Sequence, residues 1–377
     1  MQLTLDPDKF ITQHWQKKPL FLKGAFPNFH DPLDADELAG MALEDFITSR
    51  VILRQGDQWI AKQGPFTDYS EFGSTHWQLL VQAVNHWVPQ CQDIVNAFDF
   101  LPDWRVDDLM MSYCTPQGGV GPHIDQYDVF IIQGQGTRNW QVGAEGSYSL
   151  RKDIKHMAII ESFEPILDVT MQPGDLLYIP AGCPHQGITH TDAPALSYSL
   201  GFRAPLQREL LSSWADYLEE HQLASTRFTS PQDVTNSGLI SETDQQAMVQ
   251  LMKQSLSDTK SMKSMLGCLL SQSRFELNIE PLEQEAPEDL LEQLVAQHKT
   301  LYRIDGLKII CHEHDQPRVF IDQQEYILAE ADQEQCYLLS NLKFYPPSLI
   351  ETWLDMPQVK QLLLNLITQG YLYSDNE

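Results

Sequence analysis

The spacing of hydrophobic and polar positions divides the chain into three stretches. Up to about residue 110, short apolar runs mix with turn signals, and helical spacing predicts a packed helix or helix pair over 74–98. From 107 to 204 the runs are short, rich in β-forming residues and separated by Gly, Pro or Asp. Regularly spaced short strands of this kind indicate a sandwich or a barrel. We therefore expect the catalytic core in this middle stretch.

Helical periodicity returns after Phe202. Residues 206–224 have the pattern of an amphipathic helix, and 242–274 form a second helical stretch with many Met and Leu residues. Methionines at this spacing are more typical of a core or a dimer interface than of a ligand site. From about 296 to 373, short strands are followed by helices and a closing strand. This order predicts a small α+β module that resembles a winged helix.

Composition narrows the class of protein. The 377 residues are 42% hydrophobic and 20% charged, which is ordinary for a soluble globular protein. No segment approaches the ~20 consecutive apolar residues of a membrane helix, and the first residues lack a signal-peptide pattern. Six cysteines without a CxxC pair are typical of a reducing compartment, so we expect a cytoplasmic protein. The formal net charge of −27 should repel nucleic acids and attract basic partners.

Two motifs in the β-rich stretch carry the candidate chemistry. In GVGPHIDQYDVFIIQG, His123 and Asp125 are two residues apart and project from one face of a strand. In QPGDLLYIPAGCPHQG, a Pro-Gly-Asp turn precedes a strand, and His185 follows a second turn. Two histidines and one carboxylate are the facial triad of non-haem Fe(II) oxygenases. We predict these three residues as iron ligands and predict no further catalytic residue.

Arg138, in the segment GQGTRNWQV, adds a feature that a metal site alone does not need. It lies on the predicted strand that follows the first motif, where its planar guanidinium can bind the distal carboxylate of 2-oxoglutarate in a bidentate pair. Zinc-dependent isomerases with a similar barrel have no need of such a group. The alternative interpretation is a surface arginine beside Trp140.

These segments resemble the JmjC ribosomal oxygenases, and among them the bacterial ribosomal protein arginine hydroxylases. The resemblance extends nearly end to end, from QHWQKKPLFLKGAF through both metal motifs to YSLGFRAP and the C-terminal tail. It implies an α+β chain whose catalytic domain, residues 1–205, is a distorted double-stranded β-helix of the cupin and JmjC type. A helical dimerisation region over 206–275 and a winged-helix-like domain over 276–377 complete the implied organisation.

The resemblance also implies a reaction. The metal is Fe(II), the co-substrate is 2-oxoglutarate, and an arginine side chain of a basic large-subunit ribosomal protein is hydroxylated at carbon. Ser197 is a weak candidate for a co-substrate contact. The positions that match the family's iron ligands are His123, Asp125 and His185, and those that match its 2-oxoglutarate contacts are Arg138 and Ser112.

The charge of the C-terminal stretch bears on its partners. From 281 to 377 there are 17 acidic and 6 basic residues, a formal net charge of −11, whereas a winged helix that reads DNA should be basic. We therefore expect that the chain does not bind DNA and that its acidic surface attracts the basic substrate. The helical region rich in Leu and Met separately favours a homodimer.

Two alternatives stay open. A JmjC oxygenase can act on another protein side chain, by histidine hydroxylation or N-methyl demethylation. A non-enzymatic winged-helix regulator can keep its cupin as a scaffold. Tyr127 and Asp128 either line the substrate mouth or have structural roles. His156, His190 and the CHEH segment at 311–314 are not predicted as metal ligands.

Overall fold

The computed structural model describes residues 1–152, 158–190, 192–231 and 238–374. Within this part of the chain, twelve strands up to residue 202 form two antiparallel sheets. The strands are β1 (Leu20–Leu22), β2 (Ser49–Gln55), β3 (Gln58–Gln63), β4 (Trp77–Val81), β5 (Val106–Cys114), β6 (His123–Ile124), β7 (Asp128–Gln133), β8 (Arg138–Gly143), β9 (Pro165–Met171), β10 (Leu176–Ile179), β11 (Pro184–Ile188) and β12 (Ala195–Phe202).

The chain crosses repeatedly between the two sheets. The larger sheet has the strand order β1-β10-β7-β12-β5-β4-β2-β3, and the smaller sheet the order β6-β11-β8-β9. From β5 to β12 the strands therefore wind through both sheets, which is the arrangement of a double-stranded β-helix. The barrel predicted from the short strands is confirmed.

Strand β7 has apolar residues on both faces because both faces are buried. Val129 and Ile131 point between the sheets and pack with Trp140 of β8. Phe130 and Ile132 point to the opposite face of the larger sheet, into the main core. A strand buried on both sides needs no polar positions, so the run VFII does not alternate.

Three helices accompany the outer face of the larger sheet: α1 (Pro7–Gln13), α2 (Ala35–Met41) and α3 (Pro89–Asn96). The predicted helix over 74–98 is wrong in its first half, because residues 77–81 form the fully buried strand β4. The WQLLV run has no polar face, and its pairing with β2 and β5 outweighs its helical spacing.

The helical region contains α4 (Gln207–Glu220), α5 (Glu242–Ser255) and α6 (Thr259–Ser271). Helix α6 packs on the C-terminal domain so closely that the ring of Phe320 occupies the space of a Cβ at Gly267. Helix α5 is different, because none of its residues is buried.

The C-terminal domain combines helices with two three-stranded sheets around one apolar core. The sheets have the orders β17-β13-β18 and β14-β15-β16. The elements are α7 (Leu290–Ala296), β13 (Leu301–Arg303), β14 (Ile309–Ile310), β15 (Arg318–Ile321), β16 (Gln324–Ile327), α8 (Gln333–Asn341), β17 (Phe344–Tyr345), α9 (Pro347–Trp353), α10 (Pro357–Thr368) and β18 (Leu372–Ser374).

Polar contacts join the C-terminal half to the barrel. His86 Nδ1 lies 2.8 Å from the carbonyl oxygen of Glu276, and Arg274 forms an ion pair with Asp107 of β5. Among the helices described, none has the combination of length and apolar character that crossing a membrane requires. The predicted domain limits at 205 and 275 stay predictions.

Candidate functional site

Strand register brings the three predicted ligands together. The antiparallel pairing of β11 with β6 places His185 opposite His123. Asp125 follows β6 directly, and its carbonyl oxygen accepts the N–H of Gly182 from the turn before β11. One ligand atom from each of the three side chains then lies within 4.8 Å of the other two. In the described part of the chain, this is the only such group of histidine, cysteine or carboxylate side chains.

Backbone carbonyls orient both imidazole rings. His123 Nδ1 lies 2.8 Å from the carbonyl oxygen of Gly121, and His185 Nδ1 lies 3.1 Å from that of Cys183. A carbonyl oxygen can only accept a hydrogen bond, so Nδ1 carries the proton in each ring and Nε2 presents a lone pair. Asp125 Oδ2 lies 3.9 Å from His123 Nε2 and 3.5 Å from His185 Nε2. This donor set fits a divalent transition metal.

Burial keeps His185 in the state that binds metal. Desolvation, followed by the neighbouring His123 ring, lowers the pKa of His185 to about 4. The imidazole is therefore neutral at pH 7, as a metal ligand must be. The side chain of His185 is 3% exposed, whereas that of Asp125 is 23% exposed. The triad is thus closed on the side of His185 and open on the side of Asp125.

Arg138 is held deep in the barrel by four hydrogen bonds. Its Nη1 donates to Ser112 Oγ at 3.3 Å and to Ser197 Oγ at 2.9 Å. Its Nη2 donates to Gln78 Oε1 and to the carbonyl oxygen of Gly187, both at 3.0 Å. All four acceptors are neutral, and they come from four different strands. The guanidinium is therefore oriented from several sides.

Among the described residues, no carboxylate balances the charge of this guanidinium, which lies 4.7 Å from the centroid of the Trp140 ring. Arg138 is 2% exposed, its Nε has no hydrogen-bond partner, and among the described residues no carboxylate forms an ion pair with it. Burial lowers the pKa of Arg138, although the guanidinium stays charged at pH 7. An unpaired buried cation costs several kcal/mol. A bound carboxylate would offset this cost, and the cavity that contains Arg138 also contains the triad.

Along the face of β5 that lines the cavity, the side chains change from acidic to apolar to a neutral hydroxyl. Asp108, Met110 and Ser112 line the cavity, whereas Leu109 and Met111 point into the core on the other face. Ser112 contacts Arg138, and Asp108 lies four residues away on the same strand, at roughly 13 Å. The cavity is therefore polar at both ends and apolar between them.

Asp108 is an unusual group to find on this wall. It is 6% exposed, and its Oδ2 accepts the N–H of Ala83 at 3.0 Å. Among the described residues, no cation lies within ion-pair distance of its carboxylate. Burial and the neighbouring Asp107 raise the pKa of Asp108 to about 7. The carboxyl group therefore titrates near neutral pH, and a cationic ligand would favour its ionised form.

Tyr127 and Asp128 have different surroundings. Tyr127 lines the cavity and the groove outside it. Asp128 points into the protein, where it forms a 2.9 Å ion pair with Arg105 and accepts the Tyr178 hydroxyl at 2.6 Å. Of the two, only Tyr127 is in a position to contact a substrate.

Sequence reasoning missed Gln78 and Asp108. Gln78 lies in the segment read as helical, so its position on a strand facing Arg138 was hidden. Asp108 and Ser112 are polar residues at even spacing on β5, on the face opposite Leu109 and Met111, which is a usable signal. Nothing in the local sequence indicates that this residue faces the metal ligands.

Within the described residues, the rejected histidines do not form a second metal centre. His190 is exposed, and His314 of the CHEH segment is exposed as well. His312 Nε2 lies 2.8 Å from the carbonyl oxygen of Lys263, so this ring joins α6 to the C-terminal domain. His156 lies outside the described residues.

Two protein families match this chain. Residues 93–210 match the JmjC domain, and residues 251–373 match the ROXA-like winged helix. The JmjC match contains all three triad residues and Arg138. The winged-helix match covers the C-terminal strands and helices, so the predicted winged-helix-like module is confirmed.

The chain is also similar to characterised proteins along most of its length. It is 42% identical to the ribosomal protein uL16 3-hydroxylase of Escherichia coli (strain K12), over 82% of this chain and 83% of that protein. A crystal structure of YcfD from E. coli superposes with a TM-score of 0.91 at 36% identity, and covers 99% of both chains. A structure of the E. coli ribosomal oxygenase YcfD with cobalt and 2-oxoglutarate superposes with a TM-score of 0.89 over 100% of this chain and 99% of that one, also at 36% identity.

Proposed function

This chain belongs to the ribosomal oxygenase family of JmjC proteins, and from that premise we propose that it is an Fe(II)- and 2-oxoglutarate-dependent hydroxylase of an arginine side chain. The proposed protein substrate is uL16, which the name of the E. coli relative specifies as the target of that enzyme. The proposal combines this membership with the chemistry of the cavity.

The single observation that carries the proposal is the unbalanced charge of Arg138 in the cavity of the triad. 2-Oxoglutarate has two carboxylates, one beside its keto group and one at the far end of the chain. Arg138 would bind the far carboxylate, with Ser112 and Ser197 adding hydroxyl donors once their hydrogen bonds to each other reorganise. This anchoring would direct the keto acid group towards the triad. The co-substrate complex of the E. coli oxygenase supports the same use of this cavity.

His123, Asp125 and His185 would hold Fe(II). When bound, the metal supplies dioxygen activation coupled to the oxidative decarboxylation of 2-oxoglutarate to succinate and carbon dioxide. The two Nε2 donors are neutral and Asp125 contributes one negative charge, which leaves a net positive centre that attracts the keto acid. The carbonyls of Gly121 and Cys183 would keep both rings in the ligating tautomer.

Asp108 supports arginine as the target side chain. A long side chain that enters past Tyr127 would pass Met110 with its methylene groups and reach Asp108 with its guanidinium. The carboxylate of Asp108 is buried, and no cation of the described residues forms an ion pair with it. A bidentate ion pair with the substrate guanidinium would compensate its charge. The carbon atoms of the substrate would then lie beside the triad. The position of the hydroxyl group would depend on where this clamp holds the chain.

The net charge of −27 supports a basic protein partner. Ribosomal proteins are basic, and an acidic enzyme surface would accelerate their association with the cavity at low ionic strength. The acidic C-terminal domain would contribute to this attraction and would not bind DNA. A DNA-binding titration at increasing salt concentration tests the second point, since strong salt-dependent binding would contradict it.

The decisive experiment is a turnover assay on purified uL16. The protein is prepared anaerobically, loaded with Fe(II), and supplied with oxygen, 2-oxoglutarate and uL16 or its arginine-containing peptides. We expect succinate formation that the substrate stimulates, together with the mass of one added oxygen atom on an arginine. An added oxygen on histidine, or the loss of a methyl group from a methylated peptide, would support the other JmjC activities instead. Iron binding without any turnover would support a scaffold role.

We also propose that the helical region forms a homodimer. Helix α5 has no buried residue, and large apolar side chains on it and just before it are exposed: Leu239, Ile240, Met248, Val249 and Met252. Such a surface on a charged protein is typical of an interface. We expect Met252→Glu, at a side chain 62% exposed, to convert a dimer of 43.2 kDa chains into a monomer by light scattering. Ile327→Glu, at a side chain 56% exposed in the C-terminal domain, is the matched control and should leave the mass unchanged.

A further inference from the structure

A groove leads from the triad along the β2–β3 hairpin. Its wall contains Arg50 and Ile52 of β2, Trp59 of β3, and His123 and Tyr127 beside the metal ligands. Val51 and Leu53 of β2 point into the main core, so Arg50 and Ile52 face the opposite side, towards the groove. The groove is continuous with the inner cavity, because His123, Asp125 and Tyr127 line both.

Arg50 differs from the other residues of this wall, because its guanidinium has no hydrogen-bond or ion-pair partner among the described residues. The residue is half-buried, its Nε is buried without a hydrogen bond, and among the described residues none forms an ion pair or hydrogen bond with it. The neighbouring Arg54, four residues along the same strand, is exposed and donates to the carbonyl oxygen of Gly56. A half-buried donor without an acceptor costs about 1–3 kcal/mol, so an acceptor from a ligand would stabilise the protein.

Strand pairing fixes the distance from Arg50 to the co-substrate site. Arg50 pairs with Leu80 of β4, and Leu80 pairs with Ser112 of β5, so the three residues form one row on the inner face. Two strand spacings separate Arg50 from Ser112, roughly 10 Å across the sheet. The positive charge of Arg50 also counteracts the rise in the pKa of Asp108 that burial and Asp107 cause. Arg50 is therefore close to the cavity but outside the co-substrate site.

We propose that Arg50 binds main-chain carbonyl oxygens of the substrate polypeptide next to the hydroxylated residue, while the apolar wall of Ile52 and Trp59 contacts the flanking side chains. This inference rests on the proposed function and assigns a polypeptide-binding role to the groove. A guanidinium in this wall needs an oxygen acceptor. A basic substrate has few carboxylates, whereas every residue of it has a carbonyl oxygen. The planar fork can bridge two successive acceptors, which an ammonium cannot do.

The test is steady-state turnover of a uL16 peptide by Fe(II)-loaded protein carrying Arg50→Gln or Arg50→Lys. We expect the KM for the peptide to rise about 10- to 100-fold for Arg50→Gln, because a hydrogen bond to a charged group is lost. Arg50→Lys should also raise KM by at least about 5-fold, since it keeps the charge but loses the fork. The kcat at saturating peptide, the KM for 2-oxoglutarate and the peptide-independent conversion of 2-oxoglutarate should stay within about twofold of the wild type.

Lys62→Gln is the matched control, because it removes a cation from the same β2–β3 hairpin at a side chain that pairs with Glu71 and does not line the groove. It should leave the peptide KM within about twofold of the wild type. Unchanged KM in both Arg50 variants would overturn the role of Arg50. A loss in Arg50→Gln that Arg50→Lys fully restores would overturn it too, because charge near Asp108 would then suffice. A wild-type protein that neither binds nor hydroxylates any uL16 peptide would instead overturn the proposed function, on which this role depends.

Discussion

The two ends of the inner face of β5 are built in opposite ways. At one end, Ser112 and its neighbours surround Arg138 with four hydrogen bonds from neutral groups. At the other end, Asp108 receives one hydrogen bond, from the backbone N–H of Ala83, and among the described residues no cation forms an ion pair with it. The first end is organised before any ligand binds, which suits a small co-substrate of constant shape. The second end has a buried carboxyl group that a cationic side chain of the substrate could pair with.

The candidate metal centre lines the same cavity as both ends, so loss of one of its ligands should have the largest effect. Asp125→Ala removes the anionic ligand, and we expect turnover to fall by about 1,000-fold or more, with Fe(II) affinity reduced at least about 10-fold. Succinate formation and iron binding by calorimetry provide the measurements. Asp125 lies on the open side of the triad, so the melting temperature of the metal-free protein should change little. Wild-type iron affinity in this variant would refute the ligand assignment.

The organised end is tested next, through Arg138→Gln. Loss of a charge-assisted pair should raise the KM for 2-oxoglutarate about 100-fold, whereas the affinity for the peptide should change far less. Titration of 2-oxoglutarate into the metal-loaded protein gives the affinity directly. The protein itself should not be strongly destabilised, because the substitution removes an unpaired buried charge. If Arg138→Gln weakened peptide binding as much as 2-oxoglutarate binding, the Arg138 and Asp108 ends of the cavity would not bind their ligands independently.

The unsatisfied end is tested through Asp108→Asn, which keeps the shape and removes the charge. We expect the KM for the peptide to rise about 10-fold or more while the KM for 2-oxoglutarate stays constant. The pKa of Asp108 is about 7, and the ionised carboxylate is the form that binds a guanidinium. In the wild type, peptide KM should therefore fall as pH rises from 6 to 8, and this dependence should vanish in Asp108→Asn. The same slope in both proteins would assign the titration to another group.

Ser112→Ala should have the smallest effect. It removes one of four hydrogen bonds to Arg138 and one hydroxyl donor near the proposed carboxylate. We expect a rise of about 3- to 10-fold in the KM for 2-oxoglutarate, since Ser197 and Gln78 still orient the guanidinium. The same assay as for Arg138→Gln measures it. An effect as large as that of Arg138→Gln would show that the serine, not the arginine, is the main anchor.

Local sequence was enough to predict features that depend on residues close together in the chain, such as strand faces and turns. His123 and Asp125 share a strand face at a spacing of two, and the Pro-Gly-Asp turn marks the strand before His185. Arg138 followed from the next strand of the same hairpin, and Ser112 from the family resemblance. Helices α1 and α2 begin after acidic N-caps, Asp6 and Asp34, which accept backbone hydrogen bonds from the first turn and so also act over a few residues.

What the sequence determined by itself was therefore the set of three candidate donors that the structure brings together, their strand context and the order of the domains. These follow from periodicities and turn residues that act over a few positions. Only the tertiary structure decided that β4 is a strand, that Asp108 faces the cavity and Arg50 the groove, and that no carboxylate of the described residues pairs with Arg138. Those properties depend on pairing between strands that lie up to about a hundred residues apart, as β12 and β5 do. Local sequence patterns do not reveal this register. A strand that is buried on both faces lacks the alternation of polar and apolar residues from which its orientation could be read.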